Sequence, residues 1–162
     1  MKQVIQIRCK NNKKNINVAI GSTLSEVFSQ INLEMPYGPI CAKVNNKVVG
    51  LHYRLYHNKD VEFLDMTSGS GSRNYTRTLF FILSKAVKDL WGDVRVVIDI
   101  PVSNGYYCDL QLGRPVTADD VARLKTRMQE IIDAALPVKR HETTTDEAIE
   151  LFSRLGDTSK AR

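Results

Sequence analysis

No stretch of this 162-residue chain approaches the roughly 20 consecutive apolar residues that a membrane-spanning helix requires. Met1-Lys2-Gln3-Val4 leads straight into an alternating pattern rather than a signal peptide, so a cytoplasmic location and no membrane partner are expected. Cysteine is scarce: Cys9, Cys41 and Cys108 are odd in number, widely spaced and form no Cys-x-x-Cys pair, so neither a disulfide framework nor a zinc site is suggested. All three are expected as reduced thiols. A Gly-x-x-x-x-Gly-Lys-Ser/Thr loop is missing, so nucleotide hydrolysis within the chain is not expected. Histidine is limited to His52, His57 and His141, and no Ser-His-Asp or Cys-His arrangement can be assembled around them. His52 and His57 read as solvated side chains, and His141, in Lys139-Arg140-His141-Glu142, suits an exposed turn or a phosphate contact equally. The residues therefore assign no catalytic group, no metal ligand and no cofactor to this chain.

What is present is an ordinary soluble composition, 43% apolar and 25% charged, with enough chain for one medium domain or two small ones. Net charge is +5, and most of it sits early: residues 1–66 carry nine Lys and Arg against five Asp and Glu, whereas residues 67–162 carry fourteen against thirteen. Part of the excess is the run Lys10-Asn11-Asn12-Lys13-Lys14-Asn15. Lys10, Lys13 and Lys14 are candidate phosphate or RNA contacts; the alternative is a solvated turn that keeps the protein soluble.

Val4, Gln6 and Arg8 alternate with Ile5, Ile7 and Cys9, the period of a strand with one buried face. Asn11-Asn12 marks a turn, Ile16 and Val18 continue on a second strand, and Thr23 with Glu26 forms a capping-box pattern ahead of Leu24, Val27, Phe28 and Ile31. Pro36 and Pro39 end that helix, after which strands are predicted over 40–44, 47–51 and 61–64. This β-β-α-β-β-β order, with Gly21-Ser22-Thr23-Leu24 and Ala42-Lys43-Val44-Asn45, resembles the TGS domain, a ubiquitin-like β-grasp module. The resemblance implies a binding or regulatory role without chemistry of its own.

Gly and Ser dominate Thr67-Ser68-Gly69-Ser70-Gly71-Ser72, so residues 67–74 are expected as a flexible linker. Beyond it the pattern predicts a helix over 74–91, dense enough in apolar residues to need cover on more than one side. Strands follow over 94–100 and 106–112 around an Asn104-Gly105 turn, then a helix from Thr117, a short strand near Val138, and a helix over 145–155 stopped by Gly156.

Asn104-Gly105-Tyr106-Tyr107, Gly113-Arg114-Pro115 and the stretch from Ala148 to Gly156 together resemble the editing domain of threonyl-tRNA synthetase, the second domain of its N-terminal region. That family's helix carries two histidines four residues apart, on one face, able to flank a water and the ester of a mischarged tRNA. Counting back from Leu90-Trp91, the resemblance puts Arg77 and Phe81 in their places. Asp99 replaces a glycine of the first strand and Cys108 a second aromatic, and the family's Cys-x-x-x-His pair is expected beyond Arg162. The resemblance thus implies a retained fold with lost chemistry, and a candidate ligand pocket of Arg77, Phe81, Asp99, Tyr107 and Cys108. Arg77 would either grip a phosphate or carboxylate, or seal the pocket through a salt bridge with Asp99. A strand cysteine such as Cys108 is expected to be buried.

The expected fold class is α+β: a β-grasp (TGS) domain over 1–66, a Ser/Gly linker over 67–74 and an incomplete editing-like domain over 75–162. Tyr75-Thr76-Arg77 and Pro101-Val102-Ser103-Asn104-Gly105-Tyr106 are phrased as in the N-terminal region of bacterial uridine kinase-like fusion proteins, which the combination resembles. That implies a non-catalytic RNA- or nucleotide-binding region of an ATP-dependent nucleoside kinase, with ATP and Mg belonging to a downstream kinase domain. The alternatives are a Ser-tRNA deacylase module and a structural or dimerising adaptor.

Overall fold

The alternation at the start of the chain becomes a hairpin of β1 (Val4–Cys9) and β2 (Asn15–Ala19), with Ile5, Ile7, Cys9 and Val18 buried on one face. These elements come from a computed structural model, which describes residues 3–103, 105–139 and 141–155. The expectations for Asn104, Arg140 and Gly156, and for the end of the editing-like domain, lie outside the described residues.

The first helix, α1 (Leu24–Gln30), starts where the capping pattern placed it: Thr23 Oγ1 accepts from Glu26 N at 3.2 Å and Glu26 Oε2 accepts from Thr23 N at 2.7 Å. Those reciprocal bonds hold the Glu26 carboxyl below its ordinary range. Strands β3 (Cys41–Val44), β4 (Lys47–Gly50) and β5 (Lys59–Leu64) complete a five-stranded sheet in the order β2-β1-β5-β3-β4. Pairing of β1 with β5 is parallel and the other pairings are antiparallel. One face of the sheet covers α1 over a core of Ile7, Leu24, Val27, Leu55, Val61 and Phe63, and Phe28 meets Phe63 edge-on at 5.1 Å. Each such fully buried side chain contributes about 2 kcal/mol. The β-grasp expectation is met in element order and capping.

Residues 69–74, expected as part of a flexible connector, are helical. Helix α2 runs Gly69–Trp91 and begins at Ser68, whose Oγ accepts from Gly71 N at 3.0 Å. Asp65 holds the approach, with Thr67 N and Thr67 Oγ1 donating to its Oδ1 and Ser68 Oγ donating to its carbonyl. Gly71 is buried there: a Cβ on it would lie 1.7 Å from the Asp65 carbonyl oxygen. The glycine that reads as flexibility is needed for close approach. Asn74 Nδ2 then reaches the buried Cys41 Sγ at 3.4 Å, tying the helix to β3.

A two-stranded sheet follows, β6 (Val96–Val102) with β7 (Gly105–Leu110). Helices α3 (Ala118–Asp133) and α4 (Thr145–Arg154) complete the described chain. The chain divides into two compact units, residues 1–128 and 129–162. In the first, Arg127 donates to Asp89 Oδ2 from both Nε and Nη2, at 3.1 and 2.8 Å, linking α3 to α2. In the second, Thr144 and Glu147 cap α4 reciprocally. The short strand expected near Val138 is not formed: Val138 is 80% exposed, and Pro137 beside it lacks the N–H that a ladder needs.

Asp120 organises the start of α3. Its carboxylate accepts from Arg114 Nη1 at 2.6 Å and Nη2 at 2.8 Å, and from Thr117 N and Oγ1 at 2.9 and 2.8 Å. The Arg114 guanidinium, with Thr117, holds the Asp120 carboxyl far below the ordinary carboxylate range. With the folded-state value depressed, the unfolded chain takes up the proton first, so this stabilisation is present above about pH 4 and lost as pH falls below it towards the folded value. Thermal unfolding followed between pH 7 and pH 2 should show Asp120→Asn less stable at neutrality and flatter in its acid slope. An acid slope equal to that of the natural chain would mean that the pair contributes nothing.

Candidate functional site

Two candidate surfaces were read from the sequence, and the structure treats them differently. Arg77 and Phe81 lie one turn apart on one face of α2, as their spacing requires. Neither is enclosed: Phe81 is 69% exposed, and it is Phe80 that packs, edge-on to Tyr106 at 5.0 Å. The expected cover on more than one side of α2 is not seen among the described residues, whose fully buried positions on this helix are Gly71, Ala86 and Val87.

On the hairpin, Ile98 pairs with Cys108 and Pro101 with Tyr106, so Asp99 and Ile100 together oppose Tyr107 in a bulge. Strand alternation fixes the consequence. Tyr106 faces α2 through Phe80, so Cys108 shares that side and Tyr107 points to the other. Asp99, Ile100 and Tyr107 gather at the bulge, with Ile100 61% and Tyr107 58% exposed. Tyr107 and Cys108 of the candidate pocket therefore emerge on opposite sides of the hairpin, and among the described residues no ion pair joins Arg77 to Asp99. Cys108 is exposed rather than buried. Its thiol is nonetheless pushed up by desolvation, which favours the protonated form.

The lysine tip is better organised than its composition suggests. Cys9 N donates to Lys14 O at 2.8 Å, and Lys13 closes the turn with a left-handed φ of 60°. Asn11 works as a substitute strand residue, its Nδ2 donating to Phe63 O at 2.9 Å and its Oδ1 accepting from Phe63 N at 2.8 Å. Lys10 Nζ donates to Asn46 Oδ1 at 3.3 Å, binding the tip to the β3–β4 turn. Lys13 and Lys14 are left exposed on a fixed base. Sequence reading saw the charges and missed Asn11, because its partner lies 52 residues away.

A further feature went unread: an open polar depression of about 400 Å³ on the face of the β-grasp sheet opposite its core. Gln6 and Arg8 of β1 and Asn15 of β2 form part of its lining, and Asn45 of the β3–β4 turn with Asn58, Lys59 and Asp60 forms the rest. Alternation had marked Gln6 and Arg8 as outward-facing, but nothing in the sequence brings 6–8, 15, 45 and 58–60 together.

No protein-family model matches the chain. It is 34% identical over 137 residues to a threonine–tRNA ligase of Natranaerobius thermophilus, which covers 85% of this chain and 22% of the relative. A threonine–tRNA ligase of Desulforamulus reducens is 31% identical over 88% of the chain and 22% of its own length. Threonine–tRNA ligase 2 of Bacillus subtilis is 28% identical over 86% of the chain, again 22% of the relative. The chain thus spans about a fifth of the length of the curated relatives it matches. These relatives agree with the likeness to a threonyl-tRNA synthetase and with the α+β fold; the kinase fusion rests on residue phrasing alone.

Proposed function

We propose that this chain is a non-catalytic binding and regulatory region of a larger polypeptide, and that its ligand is RNA of the tRNA class. One observation carries the reading: the likeness to threonine–tRNA ligases extends over 85% of the chain, yet Arg77 and Phe81 stand where the editing domain would hold its histidines. Phenylalanine neither ligates a metal nor moves a proton, and an arginine side chain offers donors and no acceptor, so the hydrolytic step has no general base at these positions. Binding remains. The exposed Lys13 and Lys14 on their braced turn supply cations for phosphate, and the β-grasp domain over 1–66, with the editing-like domain over 75–162, supplies the scaffold.

Purified protein should bind tRNA at low salt and should not hydrolyse seryl-tRNA above the buffer rate. Restoring histidine at both positions should leave it inactive. Clear hydrolysis by the natural chain would overturn this reading in favour of an editing module.

The parent polypeptide has a second reading, a uridine kinase-like nucleoside kinase. The missing histidines favour it, since a synthetase that edits would be expected to keep them. ATP and Mg would then belong to the kinase domain. The reading frame beyond Arg162 decides: a P-loop supports the kinase, a Cys-x-x-x-His pair supports editing, and a stop codon supports a free-standing adaptor.

A further inference from the structure

The polar depression on the outer face of the β-grasp sheet has the chemistry of a ligand site, because its donors are oriented and its charges are uncommitted. Arg8 stands beside Asn15 across the β1–β2 pair and beside Asp60 across the β1–β5 pair, which puts a guanidinium, a carboxamide and a carboxylate in one row over three strands. Asn58 extends the row along the chain, Lys59 lines the depression between it and Asp60 while pairing with the inward-facing Ile7, and Asn45 enters from the β3–β4 turn.

Two of the carboxamides are fixed by the backbone. Asn58 Oδ1 accepts from Gln6 N at 2.9 Å, and Asn45 Oδ1 accepts from Asp60 N at 3.2 Å. Since a backbone N–H requires an oxygen as partner, each amide can be oriented in only one way, and each NH2 is free to donate. Arg8 and Lys59 make no ion pair among the described residues, although Asp60 lies next to both along or across the sheet. The lining therefore offers the Arg8 cation, two oriented NH2 donors and one carboxylate acceptor.

We propose that this depression binds a nucleotide unit. Arg8 takes the phosphate, the Asn45 and Asn58 amides donate to its oxygens or to a base edge, and Asp60 accepts from a ribose hydroxyl or an exocyclic amine. A bare anion would leave Asp60 as a repulsive neighbour, whereas a nucleotide gives it a donor. The same unit is available as a free nucleotide or as one residue of an RNA strand. The lysine tip adjoins the depression at Asn15 and would guide the strand in the second case. This assigns a place and a chemistry that the RNA-binding reading leaves open, and it stands without that reading if free nucleotides bind.

The test is a titration of the full chain, with the side-chain NH2 resonances of Asn45 and Asn58 followed by 15N NMR. The probes are adenosine 5′-monophosphate, inorganic phosphate and a hexameric oligoribonucleotide. Both amides should shift with the mononucleotide and with the hexamer, and phosphate should bind more weakly than either. Loss of the charge-assisted contact in Arg8→Gln should weaken the mononucleotide at least about tenfold. Lys13→Gln/Lys14→Gln should weaken the hexamer more than the mononucleotide. Unmoved amides with both nucleotide probes, an unaltered affinity in the Arg8 variant, or phosphate binding as tightly as the nucleotide would each overturn the proposal. Binding of tRNA with unmoved amides would overturn it while leaving the RNA reading intact, and amide shifts without any tRNA binding would do the reverse.

Discussion

Gly71→Ala should cost about 3 kcal/mol of folding stability, the upper part of the range for overpacking a well-filled site. The added methyl would sit 1.7 Å from the carbonyl oxygen of Asp65, and that neighbour is backbone with no rotamer to change. Either the first turn of α2 lifts from the end of β5 or the Asp65 turn opens, and both give up the bonds among Asp65, Thr67 and Ser68. Gly69→Ala, two residues earlier in the same helix, should do the opposite. Its Cβ would meet only the end of the flexible Arg73 side chain at 3.6 Å, so reduced freedom in the unfolded chain should stabilise by about 0.5 kcal/mol. Urea denaturation of the two variants measures the contrast. Equal effects would refute the close packing of α2 on Asp65.

Neutralising the lysine tip should flatten the salt dependence of tRNA binding. Each phosphate contact removed lowers the log–log slope by about 0.9, so Lys13→Gln/Lys14→Gln should flatten it by roughly two units. Adding Lys10→Gln should contribute less than a full further step, because the Lys10 ammonium is already held by Asn46. Arg77→Ala lies on the exposed helix face and should change the slope by at most about one unit. Affinity measured between about 50 and 200 mM salt provides the slopes. Undetectable binding at the lower concentration would end the RNA reading and leave the tip as a solubility feature.

The parts of this fold that were legible are those set by neighbours in sequence. Thr23 and Glu26 announced the first helix because a capping box closes within one turn, and the alternation from Val4 to Cys9 announced a buried face because pleating has a period of two. The Ser/Gly run was misread because composition alone cannot separate a glycine that permits motion from one that permits contact; Asp65 decides, and only in three dimensions. The side-chain directions around the candidate pocket were illegible for a related reason. The positions came from a family pattern, but the side of the sheet on which Tyr107 emerges depends on the pairing of Ile98 and Pro101 with β7 and on the bulge between them. Lys10, Lys13 and Lys14 were visible as charges, whereas the depression at Arg8 and Lys59 joins four separate segments and had no local signature.

The position of β5 also bears on how the chain is made. It lies between β1 and β3, so the two hairpins on either side cannot join into one sheet until it arrives. During synthesis, β1 with β2 and β3 with β4 therefore emerge as separate ribbons, each with an open edge, and two-stranded ribbons are only marginally stable in water. The sheet closes once Leu64 has left the ribosome, and Ser68 and Gly71 follow within a few residues to dock the next helix on its end. A pause in translation just before residue 59 would hold both edges open together, when a second nascent chain could most readily supply the missing strand.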